Sequence, residues 1–97
     1  MLDIETRDAG VVVIKGRLDA AQAPAAEAAL SKLQGIVSLD CGGLDYVSSA
    51  GLGVLLKTQK RLMAAGGKLR LTRVNPHLLD ILRYSGFDQI FEIEPAT

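Results

Sequence analysis

The positions of apolar and polar residues along the chain predict five strands. Apolar and acidic residues alternate over residues 2–5, and this period of two is typical of a half-buried strand. Residues 11–14 are all β-branched, as expected for a strand that is buried on both faces. A turn at residues 8–10 should join these two strands into a hairpin. Three more strands are predicted at residues 36–39, at residues 69–71 and over the last apolar residues, Ile90, Phe91 and Ile93.

Glycine and proline indicate where the neighbouring segments begin and end. The Cys-Gly-Gly run at residues 41–43 follows the third strand and should end it. Pro24 suits the first turn of a helix, and Gly35 suits the end of one. We therefore expect the alanine-rich first helix to run from about Pro24 to Leu33.

Two further helices are predicted from an apolar stripe and from capping residues. Apolar residues recur every three or four positions between residues 52 and 63, which is the pattern of an amphipathic helix. The glycine pair at residues 66–67 should end this helix. Asn75 suits an N-cap and Pro76 suits the first helical position, so a third helix should run from there to residue 84. The apolar stripe consists of Leu52, Leu55, Leu56, Leu62 and Met63.

The order of these elements is β-β-α-β-α-β-α-β. Strands that alternate with helices form mainly parallel sheets, with right-handed crossovers. We therefore predict an α/β fold with a mixed, mostly parallel sheet of about four to five strands and about three main helices. A chain of 97 residues is long enough for one domain, which should cover residues 1–97.

The charge and cysteine content argue against several classes of function. Eleven basic residues balance eleven acidic ones, so the chain lacks the basic excess that binds nucleic acid or an anionic membrane. The single cysteine, Cys41, rules out an internal disulfide and fits a reducing compartment. The sequence also lacks a signal peptide and the roughly 18 consecutive apolar residues of a membrane span. We expect a cytoplasmic protein with neither a nucleic-acid nor a membrane partner.

Candidate catalytic and cofactor-binding residues are few. His77 is the only histidine and has no metal ligand at a suitable spacing, so we expect it to be an exposed surface residue. Cys41 has no histidine near it in sequence and is predicted to be a small buried residue at a strand end. The Gly51-Leu52-Gly53 run lacks the third glycine of a dinucleotide-binding motif, and Lys57-Thr58 lacks the glycine that precedes a phosphate-binding lysine. We expect no enzyme activity, no metal and no cofactor.

The serine pair Ser48-Ser49 lies at the predicted start of the second helix. Serine is a preferred N-cap, because its hydroxyl accepts a hydrogen bond from an otherwise unpaired backbone N–H. A hydroxyl at a strand-to-helix turn is also open to a kinase, and the helix N-terminus favours the added negative charge. The two roles are compatible, since one serine can cap the helix while its neighbour is phosphorylated.

Residues 44–56, with the sequence LDYVSSAGLGVLL, resemble the phosphorylation segment of the STAS-domain anti-sigma factor antagonists. The resemblance covers nearly the whole chain, and the predicted order of elements agrees with the fold of that family. The chain is therefore identified by resemblance as a STAS domain. Three further segments agree with the family in the same order: Gly16-Arg17-Leu18-Asp19, Gly66-Gly67-Lys68-Leu69 and Ser85-Gly86-Phe87.

The resemblance implies signalling by partner switching. In that family the unphosphorylated antagonist binds an anti-sigma factor that is also a serine kinase. The kinase phosphorylates the antagonist and so releases it, and a serine phosphatase removes the phosphate. Gly51 anchors the alignment, so Ser49 takes the place of the phosphorylated serine, whereas Ser48 replaces a family aspartate and becomes a second candidate acceptor. The implied partner-binding residues are Asp19, Ser48, Ser49, Ala50, Gly51 and Leu52.

Two other functions remain open at this point. The same fold serves as an accessory subunit of transport systems, where its partner is an ATPase instead of a kinase. A small-ligand or nucleotide-binding domain is the other alternative, and it would need a charged pocket for which the sequence gives no sign. The balanced charge and short chain give no indication of self-association, so we expect the free protein to be a monomer.

Overall fold

The computed structural model describes residues 2–8 and 10–96, and the elements in this part of the chain follow the predicted order. No helix among these residues is long and apolar enough to cross a membrane. The elements are β1 (Leu2–Thr6), β2 (Val11–Leu18), α1 (Ala23–Leu30), β3 (Ile36–Val47), α2 (Ser49–Ala64), β4 (Lys68–Val74), α3 (Pro76–Tyr84), a 3₁₀ turn (Phe87–Gln89) and β5 (Glu92–Pro95).

The five strands form one mixed sheet in the order β1-β2-β3-β4-β5. β1 runs antiparallel to β2, which confirms the predicted hairpin, and the remaining neighbours are parallel. Ala9, in the predicted turn at residues 8–10, lies outside the described residues, but the Val11 N–H donates to the Asp8 carbonyl across that turn at 2.9 Å.

The sheet has one apolar face and one polar face. Val12, Leu39 and Leu71 are neighbours in the register and are each at most 1% exposed. They share one apolar core with buried side chains from all three helices. The next register row contains the polar residues Asp40 and Thr72 and faces the other way. The helices therefore cover a single face of the sheet.

The prediction that residues 41–43 end the third strand is wrong, because β3 continues to Val47. Val13 pairs with Asp40 whereas Lys15 pairs with Gly43, so β3 accommodates one extra residue there as a bulge. A side chain at Gly42 would come within 2.7 Å of the Arg73 guanidinium, which lies over the strand. These glycines make room for neighbouring side chains inside a strand.

Three smaller differences from the prediction concern single segments or residues. α1 ends at Leu30 instead of Leu33, and the Arg61 guanidinium binds the Leu30 carbonyl at 2.8 Å where the helical ladder would have continued. Ile90 and Phe91 precede β5 because the 3₁₀ turn packs Phe87 against Phe91, with 5.9 Å between ring centroids. Met63, assigned to the apolar stripe of α2, is 57% exposed.

Candidate functional site

The parallel strands β2 and β3 end side by side, with Leu18 paired to Val47. The Ser48 N–H donates a hydrogen bond to the Leu18 carbonyl at 2.9 Å. Since the residues after each strand leave from the same edge of the sheet, Asp19 lies beside the start of α2. The structure thus brings together two segments that are about 30 residues apart in sequence.

The two serines at the start of α2 have different environments. Ser48 has the extended backbone of an N-cap, with φ −85° and ψ 174°, and its Oγ accepts a hydrogen bond from the Gly51 N–H at 3.2 Å. Ser49 is the first helical residue and is exposed. Within residues 2–8 and 10–96, the Ser49 hydroxyl makes no hydrogen bond. Its oxygen is therefore accessible to another protein.

The next three residues divide between surface and interior. Ala50 is exposed beside Ser49, whereas Gly51 and Leu52 are buried. A Cβ atom at Gly51 would lie 2.6 Å from the Leu18 carbonyl oxygen, so only glycine lets α2 begin this close to β2. Gly51 and Leu52 therefore hold the start of the helix in place and offer a partner little surface.

Asp19 shapes the turn that leads into α1. Its Oδ1 accepts a hydrogen bond from the Gln22 N–H at 3.0 Å, and its backbone carbonyl accepts from the Ala23 N–H at 3.0 Å. The carboxylate is half-buried, and its other oxygen lies 3.9 Å from the Arg17 Nε. The side chain is thus held at the edge of the site with one oxygen facing Arg17.

The N-terminus of helix α2 favours an added anion. The first turn of α2 contains no acidic residue, so the positive end of its helix dipole is not neutralised from within the helix. A phosphate at the first helical position would therefore be stabilised by the helix N-terminus.

Sequence reasoning missed two exposed residues at this edge. Arg17 and Tyr46 are paired in the register of β2 and β3, and the Arg17 guanidinium carbon lies 4.4 Å from the centroid of the Tyr46 ring. The predicted strands stopped at residues 14 and 39, so neither residue was assigned to a strand. Continued apolar positions at Leu18 and Val47 were the available signal.

The other chemically notable residues have structural surroundings. Cys41 is fully buried within β3, and burial, followed by the nearby Asp40 carboxylate, raises the pKa of its thiol to about 12. The thiol is therefore protonated at neutral pH and is a poor nucleophile. His77 is exposed in the first turn of α3, as predicted.

A groove of about 570 Å³ lies between α1 and α2. Its basic residues already have partners within the chain: Lys57 forms an ion pair with Glu27, and Arg61 binds the Leu30 carbonyl. Thr58 is buried and donates to the Val54 carbonyl at 2.8 Å. Lys57-Thr58 thus lies inside a helix and forms no phosphate-binding loop.

The chain matches the family model described as "Mlab, STAS domain" over residues 2–93. The chain belongs to the STAS-domain family. It is also similar to the anti-sigma factor antagonist BtrV of Bordetella bronchiseptica, with 38% identity over 87 residues that cover 86% of this chain and 75% of BtrV.

Solved structures confirm the STAS fold. The anti-sigma factor antagonist SpoIIAA in its unphosphorylated form superimposes with a TM-score of 0.72 at 20% identity, covering 100% of this chain and 90% of SpoIIAA. The phosphorylated form of Bacillus SpoIIAA gives a TM-score of 0.69 at 20% identity, covering 96% and 90%. The murine anion transporter Slc26a9 matches with a TM-score of 0.70 at 17% identity, covering 95% of this chain but 17% of the transporter. The STAS fold thus occurs both as a small protein and as part of a larger one.

Proposed function

We propose that this STAS domain is an anti-sigma factor antagonist that binds an anti-sigma factor with serine kinase activity. The unmodified protein binds the kinase, and phosphorylation of Ser49 releases it. The observation that carries the proposal is the division of roles at the start of α2: Ser48 caps the helix, which leaves the Ser49 hydroxyl exposed. The similarity to BtrV and to SpoIIAA supports the same class of function.

The reaction requires no catalytic residue from this chain. The Ser49 oxygen attacks the γ-phosphorus of ATP held by the kinase, an O–P bond forms, and the bond to ADP breaks. The hydroxyl proton passes to a base of the kinase. A serine phosphatase restores the hydroxyl by transferring the phosphoryl group to water.

The added phosphate would act on the interface and leave the fold intact. It brings a charge of about −1.5 to −2 at neutral pH. The N-terminus of α2 stabilises that charge within the domain, because its first turn has no acidic residue. At a partner surface packed against a neutral hydroxyl, the phosphate would instead cause desolvation and repulsion. These would lower the affinity about a hundredfold.

Ser48 is a poorer phosphate acceptor than Ser49. Its oxygen already accepts the Gly51 N–H, and its side chain is less exposed than that of Ser49. In the family an aspartate stands at this place, and aspartate is likewise a good N-cap. The serine of this chain keeps the capping function without the negative charge. We therefore assign Ser49 as the main acceptor.

Incubation with the kinase and ATP, followed by peptide mass spectrometry, tests the assignment. We expect phosphate on Ser49, no phosphate on Ser49→Ala and normal phosphorylation of Ser48→Ala. Phosphate found only on Ser48, Thr58 or Thr72 would contradict the proposal. Light scattering of the unmodified protein should give the mass of one chain of 10.3 kDa.

A transport accessory subunit that binds an ATPase is the second candidate. The likeness to a segment of Slc26a9 keeps it open, because the same fold there belongs to a transporter. In that case the chain would bind its ATPase regardless of phosphorylation, and the kinase reaction would leave Ser49 unmodified.

A further inference from the structure

We infer that Arg17 and Tyr46 form a second part of the partner-binding surface, where Arg17 binds a carboxylate of the kinase. This inference rests on the proposed function and extends the surface from Ser49 onto the polar face of the sheet.

The Arg17 guanidinium contacts Tyr46 and still has N–H donors that another molecule can use. Its guanidinium carbon lies 4.4 Å from the Tyr46 ring centroid, and this cation–π contact restricts the side chain. Its Nε lies 3.9 Å from the Asp19 carboxylate, which is too long for a hydrogen bond. Among residues 2–8 and 10–96, this guanidinium donates no hydrogen bond, and its ion pair with Asp19 is a long one. The Arg17 side chain is 55% exposed.

This arrangement suits a carboxylate from another molecule. The N–H donors of a guanidinium lie in its plane, where they match the two oxygens of a carboxylate. Because the ring already restricts the side chain, binding costs less conformational entropy than it would for a free arginine. Tyrosine and arginine are also the residue types that most often dominate interface affinity.

The pair is continuous with the proposed phosphorylation site. Arg17 directly precedes Leu18, whose carbonyl binds the Ser48 N–H, and Tyr46 is two residues before Ser48. Leu18 and Val47 point into the core, so their neighbours Arg17 and Tyr46 point to the side that the helices leave uncovered. A partner that approaches Ser49 along the end of β2 and β3 would contact this side as well.

A matched pair of controls lies elsewhere on the chain. Tyr84 is 92% exposed at the end of α3, next to the exposed Arg83. Both residues belong to α3, which follows β4, whereas Arg17 and Tyr46 lie on β2 and β3. Substitutions there change the same residue types without touching the proposed surface.

The inference is tested by calorimetry. Each unphosphorylated variant is titrated into the kinase that phosphorylates Ser49, and Kd is measured. We expect Arg17→Ala and Tyr46→Ala each to raise Kd about tenfold, and Arg17→Lys to recover only part of the loss. Arg83→Ala and Tyr84→Ala should stay within about twofold of the parent protein. The effect of Arg17→Ala should shrink as salt is added. Thermal melting of each variant checks that it is folded, and Arg17→Gln replaces Arg17→Ala if the latter is not.

The outcomes separate this inference from the proposed function. A Ser49→Asp variant that binds weakly while a folded Arg17→Ala variant binds normally would overturn only the inference. The same result would be seen if Arg17 bound the phosphate on Ser49 instead of a partner carboxylate. In that case Arg17→Ala would change partner binding only for the phosphorylated protein. Normal binding by Ser49→Asp would overturn the proposed function, whatever Arg17→Ala does.

Discussion

The two ends of helix α2 differ in how much of their surface is exposed. At its start, Ser49, Ala50 and Gly53 are exposed, and the Ser48 Oγ caps the first turn by accepting a hydrogen bond from the Gly51 N–H. Towards its other end, the buried Gln59 side chain accepts from the Leu69 N–H at 2.6 Å and donates to the Ile90 carbonyl at 3.0 Å. That end is therefore connected both to β4 and to the segment that precedes β5.

The turn after α2 continues the same tight packing. The Gly67 N–H donates to the Leu62 carbonyl at 2.8 Å, and the Lys68 N–H donates to the Gly35 carbonyl at 3.2 Å. Buried groups thus hold α2 at both ends, and the two ends differ at the surface: the exposed Ser49 hydroxyl at the start can be modified without weakening the domain.

The largest expected effect comes from Gly67→Ala. A Cβ atom at Gly67 would lie 2.1 Å from the Gly35 carbonyl oxygen, and because that oxygen belongs to the backbone, the chain itself must shift. We expect the free energy of unfolding to fall by about 3 kcal/mol. Urea denaturation measures it. Gly53→Ala is the control, because a Cβ there meets open space in a helix and should raise stability by about 0.5–1 kcal/mol. Similar losses for the two variants would contradict the comparison.

Gln59→Leu should have the next largest effect. Leucine keeps most of the volume but leaves the Leu69 N–H and the Ile90 carbonyl without their partner, at a cost of about 2 kcal/mol. Hydrogen exchange should show faster exchange of the Leu69 amide. The exposed neighbour Lys60, changed to Leu, serves as the control and should leave both quantities nearly unchanged. An unaltered Leu69 amide would show that Gln59 does not secure this end.

Ser48→Ala should cost about 1 kcal/mol, the usual effect of losing an N-cap. Ser49→Ala should change the free energy of unfolding by less than about 0.5 kcal/mol, because the Ser49 hydroxyl makes no hydrogen bond within the described residues and alanine favours the helix. Urea denaturation of both variants gives the difference. Equal losses would mean that the two serines share the capping role.

Local signals predicted part of the fold with accuracy. Asn75 and Pro76 fixed the start of α3, and the Asn75 Oδ1 indeed accepts from the Leu78 N–H at 2.8 Å. The Ser48-Ser49 pair likewise indicated the start of α2. Caps of this kind depend on residues that are neighbours in sequence, so the sequence contains the information that places them.

Features that depend on distant residues could not be predicted in this way. The extension of β3 through Gly42 depends on a bulge against β2 and on the Arg73 side chain. The burial of Gln59 depends on its hydrogen bond with Leu69. From the sequence alone, a polar residue on an amphipathic helix is predicted to be exposed. The contact between Arg17 and Tyr46 likewise exists only once β2 and β3 run side by side.

The central claim is that charge on Ser49 is the switch for partner binding. The most direct measurement is a calorimetric comparison of kinase binding by the unmodified protein and by protein with phosphoserine incorporated at position 49. Ser49→Ala is the control for loss of the hydroxyl and should bind like the unmodified protein. We predict that phosphoserine raises Kd about a hundredfold or more, and that Ser49→Asp, with a smaller charge, has a smaller effect. Equal affinity of the folded phosphorylated and unmodified proteins would contradict the account.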